Sequence, residues 1–147
     1  MNASATETST KLRSLLFYSG AIAVSFMFWS SGIAKLAHFG ATLGEMAHFG
    51  LNPTWLFAVG TIVIQLAGSA LLIFGGRYAW LGAAALALFT LASIPIAHDF
   101  WNMPNERAFG ERLIAEEHIS VIGGLIVAAL LAREMGPQWG LHKGERS

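Results

Sequence analysis

Two histidines and five carboxylates gather in one stretch of the chain, AHDFWNMPNERAFGERLIAEEHISVIGG, from Ala97 to Gly124. His98 stands beside Asp99 at its start, and Glu116, Glu117 and His118 stand together near its end. Histidine beside carboxylate can relay a proton, hydrogen-bond a quinone carbonyl or ligate a transition metal. Glu111 precedes His118 by seven residues and shares its helical face if the helix starts early. The dipole of a helix that opens near Ile114 would by itself favour Glu116 and Glu117 in the first turn. No HExxH, HxH or HxxxH pattern occurs, so no metal centre is expected.

Other polar groups stand inside apolar runs. Ser31, Lys35 and His38 are spaced by four and three, which puts them on one helical face. Lys35 reads either as a residue snorkelling to the membrane interface or as a cation facing a polar pocket. Gln65 sits in mid-span, where an interhelical hydrogen bond and a substrate contact are both open readings. Phe100, Trp101, Trp29 and Trp55 suit an aromatic belt at the interface. Trp101 also adjoins His98, and an aromatic ring beside a hydrogen-bonding histidine suits a quinone.

The elements that must position these groups are membrane helices. Of 147 residues, 54% are hydrophobic and only 12% charged, half the charged share of a soluble domain. The mean hydropathy is +0.55. The expected fold is all-α, an integral membrane four-helix bundle in residues 14–135, with spans of about 14–37, 53–74, 78–97 and 114–132. Residues 1–13, rich in Ser, Thr and Ala, read as a disordered tail, and residues 136–147 as a second tail after a Gly136-Pro137 stop. Residues 38–51 are too short and polar to span and read as a brief interfacial helix or a loop. Asn52-Pro53 reads as a helix start, with Asn as cap and Pro in the first position. In the second span Thr61, Gln65, Gly68 and Ser69 share a face that should turn toward other helices. Pro95 should kink or end the third span. In the fourth, Ser120, Gly124, Ala128 and Ala132 form a stripe suited to close helix contact.

Four spans put both termini on one side. Lys11, Arg13, Arg77, Arg133, Lys143 and Arg146 fall on that side, against Lys35, Arg107 and Arg112 on the other. The positive-inside rule then makes both termini cytoplasmic and turns His38, His48, His98 and His118 outward. The lipid bilayer is the first partner. A net charge of zero gives no reason to expect nucleic acid. The chain has no cysteine, which excludes disulfides, Cys-ligated iron–sulfur clusters and covalent haem attachment through its own residues. Electrons would have to come from a bound cofactor, a diffusible quinone or a partner protein.

Five pieces, in order along the chain, resemble the DoxX family of small four-helix membrane proteins. They are SGIAKLAHF (Ser31 to Phe39), GLNP (Gly50 to Pro53), QLAGSALLIFG (Gln65 to Gly75) followed by Arg77, HDFW (His98 to Trp101) and HISVIGGL (His118 to Leu125). Two positions depart from the family's pattern: it usually has Glu where Gln65 stands, and often Lys-Asn where Glu117-His118 stand. The resemblance implies a multi-pass protein of the bacterial inner membrane, associated with redox systems. Some relatives are subunits of quinone-linked enzymes that oxidise sulfur compounds such as thiosulfate, and others are linked to complexes that handle oxidative and thiol stress.

Two readings of function follow. In the first, the chain is a non-autonomous membrane subunit of a quinone-linked redox complex, with other membrane or periplasmic redox proteins as partners. Its site would comprise Lys35, His38, Gln65, His98, Trp101, Glu117 and His118. His98 or His118 would exchange the proton of a quinol oxygen, Lys35 would stabilise negative charge and Trp101 would stack on the ring. In the second, the chain is a non-catalytic anchor or assembly module, and the small-residue stripe and the aromatic outer loop would serve a partner or a second copy in a homo-oligomer.

Overall fold

A computed structural model describes residues 3–141. The described chain is helical, with α1 over Ala3–Ala37, α2 over Phe39–His48, α3 over Thr54–Phe74, α4 over Ala79–Ala97 and α5 over Asn105–Leu141. Single 3-10 turns lie at Gly76–Tyr78 and Phe100–Asn102. Four segments are long and apolar enough to cross a membrane: Glu7–Ala37, Thr54–Phe74, Gly76–Asn102 and Asn105–Glu134. At 1.5 Å per residue, the 21 residues of α3 reach about 31 Å, the thickness of a bilayer's hydrocarbon core. The long helices pack in a ring, α1 against α3, α3 against α4, α4 against α5 and α5 back against α1, and the short α2 lies on α1 and α3.

Alanines, aliphatic side chains and phenylalanines line the centre. Ala21 and Phe28 of α1, Leu72 and Ile73 of α3, Ala83 and Leu86 of α4, and Leu125, Ala128 and Ala132 of α5 form one buried cluster. Leu15, Leu88, Leu91 and Leu130 face outward, where lipid would meet them. Apolar side chains gain little by leaving lipid for one another, so close backbone approach carries the packing. One such close approach is between α3 and α4. A Cβ on Gly82 would lie 2.5 Å from the Gly68 carbonyl oxygen and 2.5 Å from the Leu72 nitrogen. Buried hydroxyls bond back to their own helices: Ser25 to the Ala21 carbonyl at 2.6 Å, Ser69 to Gln65 at 2.7 Å and Thr90 to Leu86 at 2.8 Å. That leaves no hydroxyl of these three unsatisfied in a low-dielectric interior.

Several boundaries differ from the sequence reading. α1 begins at Ala3 rather than near Ser14. Glu7 and Lys11, one turn apart, pair at 2.6 Å and support helix in a segment without an apolar face. α5 begins at Asn105, nine residues before Ile114. The Pro104 carbonyl accepts from Arg107 and Ala108, and Glu106 suits the first turn. At the other end the α5 backbone stays helical through Gly136-Pro137 to Leu141. A proline removes only one backbone hydrogen bond, and here that loss does not end the helix. The rest of the expected tail, residues 142–147, lies outside the described residues. Asn52 does not cap α3: Pro53 occupies the N-cap position with no side-chain bond, and the Asn52 amide reaches the Gly50 carbonyl at 3.4 Å instead. Pro95 lies inside α4, which ends two residues later.

Candidate functional site

The sharp turn at His38 folds α2 back beside the end of α1. Two contacts hold it there. Thr42 Oγ1 donates to the Lys35 carbonyl at 2.9 Å, which satisfies one of the orphan acceptors at the α1 C-terminus. The Lys35 ammonium pairs with the Glu45 carboxylate. Thr42 and Met46, one turn apart, are the buried face of α2. Beneath α2 lies a cavity of about 480 Å³, lined by residues of all five helices. That volume is in the range of small-molecule sites.

The polar wall of the cavity is built from distant parts of the chain. Lys35 comes from α1, Glu45 from α2, Thr61 and Gln65 from α3, His98 from the end of α4 and His118 from α5. The two imidazoles meet edge to face, with centroids 4.9 Å apart. His98 Nδ1 lies 2.7 Å from a Glu111 carboxylate oxygen, and His118 Nδ1 donates to the Ile114 carbonyl at 2.8 Å. The second bond fixes the proton of a neutral His118 on Nδ1 and leaves Nε2 as an acceptor. The carboxylate favours the same tautomer for His98. No other side-chain hydrogen bond engages either ring among the described residues.

Gln65, in the middle of α3, is buried at 6% exposure. Its Oε1 is buried and has no hydrogen-bond partner among the described residues. An unpaired buried acceptor costs roughly 1–3 kcal/mol. The remaining wall is mostly apolar and aromatic, with Phe28, Phe49, Phe57 and Phe89 among its rings and the hydroxyls of Ser31, Thr90 and Ser93 between them.

The DoxX family model matches residues 20–99 of the chain, more than half of it. The chain belongs to the DoxX family. "Inner membrane protein YphA" of Escherichia coli (strain K12) is 25% identical over 118 residues, covering 80% of this chain and 84% of the relative. No solved structure matches the chain. With its four apolar spans, this DoxX protein is a multi-pass protein of the bacterial inner membrane. The matched segment holds Lys35, Glu45, Gln65 and His98; Glu111 and His118 lie beyond it.

Of the seven side chains singled out in the DoxX sequence, Lys35, Gln65, His98 and His118 line the one cavity, and three stand apart from it. His38 is exposed at the turn, because α1 ends at Ala37 and the face it would share with Lys35 ends there too. Trp101 is 56% exposed and packs edge to face on Phe100 at 5.0 Å, since the 3-10 turn carries it past the end of α4. Glu117 is exposed, one residue and hence about 100° around α5 from His118. The aromatic part of the cavity wall comes from Phe28, Phe49, Phe57 and Phe89, none of them singled out in the sequence.

Two partners went unassigned in the sequence. Glu45 takes Lys35, and the signal was an opposite charge ten residues on, across the turn at His38. Glu111 does not join His118 as its spacing suggested; it takes His98 thirteen residues earlier. Among the described residues no group of three or more His, Cys, Asp or Glu is placed to hold a metal ion.

Proposed function

We propose that this DoxX-family protein is the membrane subunit of a quinone-linked redox complex and that the cavity beneath α2 receives the quinone head. The observation that carries the reading is the convergence of Lys35, Gln65, His98 and His118 on one cavity whose wall also carries four phenylalanines. A quinone head is a flat ring with two opposed oxygens. It suits aromatic walls with hydrogen-bonding groups at the edges. Either histidine can hold the proton of a ligand oxygen at Nε2, and Glu111 fixes the orientation of the His98 ring. Lys35 places a positive charge at the cavity wall with Glu45 as its counter-ion.

The ligand's long apolar tail needs an exit. Leu56, Phe57 and Ile64 of α3 and Ile96 of α4 line the cavity and are also exposed. This edge would face the hydrocarbon core, so a lipophilic molecule can enter sideways from the bilayer. The orientation that goes with the proposal is cytoplasmic termini and a polar cavity end toward the outer face, from the distribution of Lys and Arg. Electron carriers would reside in a partner protein.

The anchoring alternative keeps part of its surface: Ala128 and Ala132 of the small-residue stripe are buried in the bundle and Gly124 lies against Val24 of α1, while Ser120 and Trp101 of the outer loop are exposed. The test of the quinone reading is titration of the purified protein, in lipid nanodiscs, with a short-chain ubiquinone. Saturable binding, displaced by a second quinone analogue, is expected. Uptake that merely follows lipid content would overturn the reading.

A further inference from the structure

We infer that the end of the bundle carrying Arg77 and Arg133 binds the headgroup phosphate of an anionic phospholipid, because both guanidiniums lie over aromatic rings at headgroup depth with no carboxylate paired to them. The inference stands apart from the cavity, whose His98 lies at the opposite end of α4. Depth follows from the length of α3. Its 21 residues, Thr54–Phe74, match the hydrocarbon core. The 3-10 turn Gly76–Tyr78 comes next and so lies among the headgroups. Phe74 and Tyr78 are exposed there, as aromatic residues at that boundary are. α5 packs against this turn and against α4. Arg133 of α5 reaches Trp80, its guanidinium carbon 5.1 Å from the ring centroid. Arg77, three residues before Trp80, lies over Tyr78 at 4.6 Å. Two arginines distant in sequence therefore stand at one depth, around the first turn of α4.

Their charges are uncompensated. Lys11, Lys35 and Arg112 each pair with a glutamate. Arg77 and Arg133 are exposed, and neither takes an ion pair among the described residues. Glu134 is the neighbour of Arg133, but it is turned about 100° around α5 from it and pairs with neither arginine. Stacking occupies the face of a guanidinium and leaves the N–H groups on its edge free. Those edges suit a phosphate, which can take two N–H bonds from one arginine. A bilayer presents phosphates at this depth. A zwitterionic lipid offsets its phosphate with its own ammonium; an anionic lipid does not. Leu130 and Leu131, within a turn of Arg133 toward the core, are exposed where acyl chains would lie.

The test is native mass spectrometry of the full-length protein titrated with phosphatidylglycerol or with phosphatidylcholine of the same acyl chains. The wild type should bind phosphatidylglycerol about 5- to 30-fold more tightly, the effect of one to two arginines near an anionic headgroup. Arg77→Gln/Arg133→Gln should bring that preference to within about twofold, and each single variant should lose part of it. Arg13→Gln removes an exposed charge of the same side that has no aromatic partner, and should leave the preference unchanged. Inorganic phosphate should not displace the lipid. Circular dichroism checks that the variants are folded. Equal binding of both lipids by the wild type, a preference that survives in the double variant, an equal loss in Arg13→Gln or displacement by inorganic phosphate would each overturn the inference.

Discussion

The double variant His98→Ala/His118→Ala should bind a short-chain ubiquinone roughly 10- to 100-fold more weakly than the wild type, the loss expected for two hydrogen bonds to the ligand. The helices should survive. His118 uses Nδ1 only to return to a carbonyl of its own helix, so its removal breaks no hydrogen bond between helices. His98 does link α4 to α5 through Glu111, but the Glu111 side chain is 31% exposed and water can hydrate the freed carboxylate. Circular dichroism and elution volume check that the variant is folded, and the same nanodisc titration reads the affinity. Unchanged affinity in a folded double variant would remove both histidines from the site.

The second large effect concerns the scaffold. Gly82→Ala should destabilise the protein by about 1–3 kcal/mol, the usual cost of overpacking. The new Cβ would stand 2.5 Å from two backbone atoms of α3, and backbone cannot swing aside as the tip of a side chain can. The helices must separate, and Gln65 on α3 lies only one turn from the contact at Gly68. Binding should therefore weaken along with stability. Gly20→Ala is the matched control: nothing lies within 4 Å of its Cβ, and alanine is the better helix former. Thermal unfolding in detergent reads both variants. A Gly82→Ala protein as stable as wild type would mean that α3 and α4 are not held this closely.

Apolar length and spacing made the four spans readable, because a bilayer sets the length of anything that crosses it. The inward face of α3 was readable for the same reason: Gln65, Gly68 and Ser69 recur at helical spacing and are buried. Helix ends were less legible. Residues such as Asn105 to Leu113 carry no span-like hydropathy, yet they continue α5, and Glu111 reaches His98 only because they do.

The site was half legible. Residue type marked Lys35, Gln65, His98 and His118, since polar groups in an apolar chain need a reason. Their partners were hidden, because pairs such as Lys35–Glu45 depend on how α2 folds back, which local pattern does not encode. Trp101 shows the opposite error. Closeness in sequence to His98 suggested a shared pocket, but a 3-10 turn separates neighbours in sequence into different surroundings. The helix-five stripe shows a third kind: small residues announce close contact without saying whether the contact lies inside the bundle or with another protein.

The central claim is that a quinone head lies beneath α2, among α1, α3 and α4, and enters from the bilayer. Photolabelling the protein in nanodiscs with an azidoquinone, followed by peptide mapping, tests it most directly. Labels are predicted on cavity-lining segments, around Phe57 to Gln65 of α3 and Phe89 to Ala97 of α4, and should be suppressed by excess unlabelled quinone. Labels confined to the exposed loop around Trp101, or spread over the lipid-facing surfaces and insensitive to competitor, would contradict it.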